Sequence, residues 1–513
     1  MVNDIIEERF TNESLVRLLD LVKFFLPILP EIEYPFEKIS FDEKIVYTVG
    51  SAILYLFGQL PIYGLKSNSQ FLINDPFYNF RSIFAMNKGT LFELGLLPVI
   101  TSAFIWQILA GLKLINVNFK LRYDRELFQT GQKLTAFVLS AVFAAGLIYS
   151  GYYDNAIRGY DILKGDSLPY GSYLIIFLQI TIWSWIITLI VEIFDKGYSF
   201  GSGVLSFLAI QSSSDFIGKV LGLENFPIIN SNRYESYGAL LNLFRNFSLF
   251  NPSQTINQIW HSFTRVQLPN LTHFYIALLS ILAVILLQNF RIELPIRSSK
   301  VRGMNNVYPI RLLYTGGLPV LFAFTVVANI QVLGYLIISI ANKFGISEKI
   351  TSWFGKYALN TSSNNLVLSS GLLNYFSGST SILSTLISPI KTTIYTVSII
   401  LLSVWFSLKW SYISGGSPKD IAKQFKDQGI SLSGKRDISI AKELGRVIPV
   451  ASVSGGFLLG VIALVGEYLG GLGNGVAAIV GITSTFAILE EFMMEYQQSG
   501  GSNGQFANAM SGF

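Results

Sequence analysis

Apolar stretches of about 20 residues recur along the chain from residue 44 to residue 492, and they narrow its possible folds more than any other feature. Wound as a helix, one such stretch crosses a hydrocarbon core roughly 30 Å thick. Usage agrees: 51% of residues are apolar and only 13% are charged, well outside the range of soluble domains. An all-α polytopic membrane protein is expected. The first 43 residues hold no uncharged apolar run and include Glu7, Glu8, Asp20, Lys23 and Glu31, so no cleavable signal peptide is expected.

Ten spans are read, at residues 44–63, 91–112, 134–152, 172–194, 203–221, 274–290, 317–341, 390–410, 447–469 and 473–492. They divide the chain into an N-terminal segment 1–43, a first half 44–222, a loop 223–271, a second half 272–494 and a tail 495–513. An even number of spans puts both termini on one side, and 24 of the 37 lysines and arginines fall on that side, mostly in compact connections. The positive-inside bias makes that side the cytosol. The connections 291–311 and 410–447 are long and basic enough to present a surface to something acidic, such as RNA. The opposite loops carry glycosylation sequons at Asn246, Asn270 and Asn360, which fits a lumenal side. Residues 14–26 place Leu15, Leu18, Leu19, Val22 and Phe25 on one helical stripe, which either lies on the membrane surface or packs on its own protein.

Several kinds of chemistry drop out. With no cysteine there is no disulfide, thiol catalysis, iron–sulfur cluster or zinc–cysteine site. His261 and His273 have no acidic neighbour at ligand spacing, and there is no phosphate-binding loop. No catalytic residue, metal or cofactor is expected. Coupled transporters need ionisable groups inside the membrane, each costing roughly 2.5 to 3.5 kcal/mol at a helix centre. Here the helix centres are nearly free of them, and Glu93, Glu192, Glu467 and Glu490 sit near helix ends.

Two pairs of motifs suggest an internal repeat. The second span carries LLPVIT (96–101) and the seventh GLPVLF (317–322); the fifth opens GSGV (201–204) and the tenth GNGV (473–476). Members of each pair stand at the same ordinal position in two five-helix halves and cross in opposite directions, the mark of an inverted-topology repeat with its pathway between the halves. A solute transporter and a pore between halves both remain open at this point.

Longer motifs carry a family resemblance: GQLPIYG (58–64), NKGTLFELGLLPVITS (87–102), DKGYSFGSGV (195–204), ELPIRSSKVRG with YPIRLLYTGGLPV (293–320) and GKRDISIAKELGRVIPVASVSGG (434–456). Over residues 27–497 the chain resembles the eukaryotic alpha subunit of the SecY-type Sec translocon. The resemblance implies the ten-helix SecY fold, an hourglass pore across the endoplasmic reticulum membrane, a lumenal plug, a lateral gate towards lipid and no enzymatic activity. It implies a pore ring of Leu96, Ile100, Val204, Leu208, Leu321 and Ala478. Branched apolar groups of this kind dewet and seal an empty pore. It implies a plug within about 70–88 whose short helix runs over about 77–86, with Phe77, Phe80, Arg81, Ile83 and Phe84, and with Lys88 beside it. It implies a gate between spans two and three and spans seven and eight, with a polar cluster at Thr101 and Asn329. The third member of that cluster is normally glutamine and here is Phe143, and Tyr412 stands where an acid is often found. Both departures fit the second, ribosome-associated homologue that fungi carry. Arg297, Lys300, Arg302, Lys435 and Arg436 match ribosome contacts. The implied partners are small beta- and gamma-type translocon subunits, the ribosome through its RNA and exit-site proteins, nascent chains and signal sequences, accessory translocation subunits and membrane lipid.

Overall fold

A computed structural model describes residues 18–66, 75–112, 114–115, 117, 121–158, 170–227, 234–246, 252–265, 268–298, 305–359, 366–378, 382–432, 437–470 and 474–498. The first half comprises helices α1 (Leu18–Val22), α2 (Phe41–Phe57), α3 (Tyr78–Arg81), α4 (Leu97–Gly111), α5 (Arg122–Tyr149), α6 (Tyr170–Asp195) and α7 (Gly203–Leu221). A connecting lobe follows, with strands β1 (Asn225–Pro227) and β2 (Tyr234–Ser236) and helices α8 (Ala239–Asn246) and α9 (Pro252–Thr264). The second half opens with α10 (Leu271–Asn289), the hairpin of β3 (Arg291–Ser298) and β4 (Asn305–Arg311), and α11 (Leu318–Lys343). A small lobe of α12 (Glu348–Phe354), β5 (Lys356–Leu359), β6 (Leu366–Ser370) and α13 (Ile382–Ile387) separates it from α14 (Pro389–Ile413), α15 (Pro418–Gln428), β7 (Ile430–Leu432), α16 (Asp437–Gly470) and α17 (Asn474–Gln498).

Among the described residues eight helices are long and apolar enough to cross a membrane: α5, α6, α7, α10, α11, α14, α16 and α17. The first two expected spans are shorter, α2 with 17 residues and α4 with 15, or about 25 and 22 Å at 1.5 Å per residue. The second was expected from residue 91. It starts at Leu97 because the residues before it hold other segments: Leu91 N–H donates to Leu60 O and Phe92 N–H to Gly58 O. Helices α5 and α16 begin 12 and 10 residues earlier than the apolar runs, since amphipathic turns precede those runs in the same helices. The fold is helical but not purely so, because three small sheets, β1–β2, β4–β3–β7 and β5–β6, order connections that read as polar loops.

The repeat has a physical basis in matching helix starts. Leu96 caps α4 with φ −90° and ψ 0°, Gly317 caps α11 with φ −83° and ψ −9°, and each helix takes proline in its first turn, where the missing N–H is spare anyway. At the start of α7, a side chain on Gly203 would come within 2.7 Å of Val191 Cα on α6; at the start of α17, one on Gly475 would come within 2.7 Å of Ala463 O on α16. Each half therefore needs glycine where its fifth membrane helix crosses its fourth. The halves meet on two seams. On one, Gly481 of α17 lies directly against Ser212 of α7; on the other, α4 and α5 face α11 and α14.

The N-terminal stripe packs in part on its own protein. Leu19 and Val22 of α1 are buried against Trp106, Leu127 and Phe128, whereas Leu21, Phe24 and Ile28 are exposed. The sequon at Asn270 caps α10: its Oδ1 accepts from His273 N at 2.9 Å and its Nδ2 donates to Arg265 O at 3.1 Å, so the amide nitrogen is already engaged.

Candidate functional site

Leu96, Ile100, Leu208 and Leu321 are buried in one apolar cluster, and Val204 packs against it. They arrive from α4, α7 and α11, so both halves contribute. Ile100 and Leu321 hold equivalent positions, each two residues after the first-turn proline. A cavity of about 510 Å³ reaches Leu321 from the side of the β3–β4 hairpin, bounded also by Leu205, Arg311 and Glu490. A second cavity, of about 350 Å³, lies between the later turns of α7 and the first turns of α10 and α17 and touches Ser82 just after α3. The first cavity touches the apolar layer at Leu321; the second is lined by none of these five residues. Ala478 does not join the layer: it lines the second cavity beside Ala477. Val480 stands there instead, buried in the same cluster and bordering the first cavity with Leu321. The repeat explains the two-residue correction, since Val480 follows Gly475 by the five residues that separate Leu208 from Gly203.

The seam between α4 and α11 has a polar centre and aromatic ends. Asn329 Nδ2 donates to Thr101 Oγ1 at 2.9 Å and to Thr325 O at 2.8 Å. Interhelical hydrogen bonds in membranes contribute about 0.6 to 2 kcal/mol each. One turn along, Phe104 of α4 meets Phe322 of α11 at 5.4 Å and Phe406 of α14 at 5.1 Å, and Phe322 meets Trp410 at 5.4 Å. These four aromatics were not singled out from sequence; they come from three distant segments, and only the fold gathers them. Phe143 of α5 is buried in the apolar cluster and offers no hydrogen bond to the seam. Three residues on, Gly146 leaves room for Leu336, whose Cδ1 would lie 2.8 Å from a side chain there.

At the other end of the seam the chain segment around α3 closes the site. Phe77, Phe80, Ile83 and Phe84 are all buried in the main cluster. The helix expected over about 77–86 is only Tyr78–Arg81, because the chain then turns back, with Ala85 and Gly95 both at φ 53°. Phe84 O accepts from Leu96 N–H at 2.8 Å, and a side chain on Gly95 would collide with that carbonyl. Glycine is therefore required where the two strands of the turn touch. Phe77 packs on Tyr335 of α11 at 5.2 Å and on Tyr152 at 6.2 Å, and Tyr152 lies 6.3 Å from Tyr335 across the seam.

One cation ties these parts together. Arg81 bonds Asp75 through two nitrogens, Nη2 to Oδ1 at 3.0 Å, and its Nη2 also donates to Glu93 Oε1 at 2.8 Å and to Tyr152 Oη at 3.0 Å. Glu93, read from sequence as sitting near a helix end, is 1% exposed; its other oxygen accepts from Gly89 N–H at 2.5 Å. The local turn makes this possible by folding residue 93 back under residue 81. Lys88 sits over the Tyr152 ring at 5.2 Å, and burial brings its pKa down to about 8.

Away from the seam, the two basic connections share one platform. β3 pairs with β4 and with β7, setting Arg297 opposite Ser431. Ile310, Ile421, Phe425, Ile440, Leu444 and Ile448 form its own small core under the sheet. Arg297 is exposed on it; Lys300, Arg302, Lys435 and Arg436 lie outside the described residues.

Known proteins share this architecture. The SecY family model matches residues 90–489 and the plug domain of Sec61p matches residues 53–89. The chain is 40% identical to the "Sec sixty-one protein homolog" of Saccharomyces cerevisiae, over 95% of this chain and 97% of the relative. It is 34% identical to the "Protein transport protein SEC61 subunit alpha" of Neurospora crassa, over 93% and 96%. Among solved structures, a chain of the idle yeast Ssh1 complex bound to the yeast 80S ribosome superposes with a TM-score of 0.74 at 37% identity, covering 96% of this chain and 98% of that one. A structure titled as that of a protein conducting channel superposes at 0.71 with 24% identity, over 96% and 100%, which speaks for the fold.

Proposed function

The chain belongs to the SecY family, and on that premise we propose that it is the pore-forming subunit of a protein translocation channel of the endoplasmic reticulum, with both termini in the cytosol. Nascent polypeptides pass between the two halves through the layer of Leu96, Ile100, Val204, Leu208, Leu321 and Val480. The segment around Phe77 to Phe84 is the plug beneath that layer. Transmembrane segments leave sideways through the seam held by Thr101 and Asn329. The β4–β3–β7 platform, with Arg297 and the connections around it, receives the ribosome, and small single-span subunits complete the complex. No covalent step is assigned to the chain; the driving force comes from elongation or from a partner motor.

The observation that carries this reading is the buried layer of branched apolar side chains, drawn from both inverted halves, with a cavity opening on it at Leu321 and Val480. Such a layer excludes ions when empty and offers a passing chain no fixed hydrogen bonds. The alternative, a solute transporter built on the same repeat, is not favoured, because the matched relatives are protein transport subunits. The identity of 40% to the yeast "Sec sixty-one protein homolog", against 34% to the Neurospora alpha subunit, supports assignment to the second fungal form. Reconstitution with ribosomes and small subunits separates the readings: a preprotein carrying a signal sequence is expected to become protected inside vesicles. Uptake of a small solute with no protected preprotein would overturn the channel.

A further inference from the structure

Helix α9 is built inside out. Its inward face is polar: Ser262 and Arg265 are buried, and Gln258 is half-buried. Arg265 donates to the backbone carbonyls of Pro269 at 2.6 Å, Ser236 at 2.9 Å and Tyr237 at 2.7 Å. Outward it shows Ile256 at 67% and Trp260 at 70% exposure, with Ile259 beside them. At about 100° per residue, Ile256, Ile259, Trp260 and Phe263 make one stripe, and the exposed Asn257, His261 and Thr264 make another. The two outward stripes are chemically segregated. A helix along the boundary of a bilayer meets one phase on each flank, and segregation of this kind matches it.

The apolar stripe leads into the exposed apolar face of a helix long and apolar enough to cross a membrane. Phe263 stacks on Tyr275 in the first turns of α10, with ring centres 6.1 Å apart and planes 6° from parallel, and Thr272 Oγ1 donates to Phe263 O at 3.0 Å. From Tyr275 the outward face of the membrane-crossing α10 continues through Leu279, Leu282 and Leu286, all exposed. Tryptophan at the end of such a face is the residue that membrane boundaries favour.

We propose that α9 is an interfacial helix seated in the lipid leaflet at the end of the channel where the connecting lobe emerges. Ile256, Ile259 and Trp260 enter the boundary between headgroups and acyl chains, and Asn257, His261 and Thr264 face water. The segment that joins the two halves is thereby anchored to lipid.

The chain contains no cysteine, so Trp260→Cys and Asn257→Cys each create a single labelling site. The full chain with its small subunits, carrying an environment-sensitive fluorophore at either position, is reconstituted in phosphatidylcholine vesicles. Acyl-chain nitroxide lipid is expected to quench most of the emission of the label at 260, and aqueous iodide little of it; the label at 257 is expected to behave in the opposite way. Ile256→Cys provides a second reading of the apolar stripe. Equal iodide quenching at 260 and 257 would overturn the proposal by placing both flanks in water. Protection of 260 and 256 from both quenchers would overturn it by showing that protein covers the stripe.

Discussion

Replacing Arg81 by alanine is expected to raise the resting ion conductance of the reconstituted channel by at least about 100-fold. Arg81 is the shared partner of Asp75 and Glu93, which are 3% and 1% exposed, and of the Tyr152 hydroxyl. Removing one partner of a buried ion pair costs about 3 to 5 kcal/mol because the remaining charge stays buried and unpaired. Here two carboxylates would be stranded at once. They can regain water only if the segment carrying Asp75 leaves its seat, so the cost falls on the closed state. At 1.4 kcal/mol per factor of ten, even the lower figure shifts the seated plug by about 100-fold. The control separates latch from fold: adding Asp75→Asn and Glu93→Gln to Arg81→Ala removes the stranded charges and is expected to recover most of the seal. An Arg81→Ala channel as tight as the parent would contradict the latch.

A second large effect is expected from the apolar layer itself. Ile100→Ser together with Leu321→Ser places hydroxyls at two repeat-equivalent positions where the side chains are 2% and 1% exposed. A constriction of branched apolar groups gates by dewetting, and polar groups let water, then ions, remain. Each 1.36 kcal/mol taken from the barrier is a tenfold gain in rate, so the double substitution is expected to raise resting conductance by at least about tenfold with the Arg81 network left intact. Serine at Val284 and Ile399, also fully buried but outside the layer, is the control and is expected to leave conductance near the parent value. Equal leaks from both pairs would mean that general loosening, not the layer, controls the seal.

How much of this was legible in the sequence depended on whether the signal was local. Pro98 and Pro319, and Gly203 and Gly475, mark the repeat because each meets a backbone requirement visible within a few residues: a spare N–H in a first turn, and a close helix crossing. Thr101 and Asn329 were paired by resemblance, and the fold brings them to hydrogen-bond distance. Ala478 was misplaced by two residues because its segment reads GVAAIV, where small residues hide the register; counting from Gly475 points to Val480. The aromatic closure of Phe104, Phe322, Phe406 and Trp410, and the burial of Glu93 by Arg81, depend on distant segments or on a tight turn. Hydropathy carries no information about either. The pairing of the hairpin with β7 was hidden for a similar reason: β7 has only three residues, and the pairing joins two basic connections far apart in the chain.

The central claim is that a translocating chain passes through the layer shared by the two halves. Its most direct test is site-specific photocrosslinking from a ribosome-stalled nascent chain, with the photoreactive residue placed in turn at Ile100, Val204, Leu321, Val480 and, outside the layer, Ile399. Adducts are expected at the four layer positions when the stalled chain spans the membrane, and not at Ile399 or with a chain lacking a signal sequence. A stalled chain that becomes protected inside vesicles yet gives no adduct at any of the four would contradict the claim.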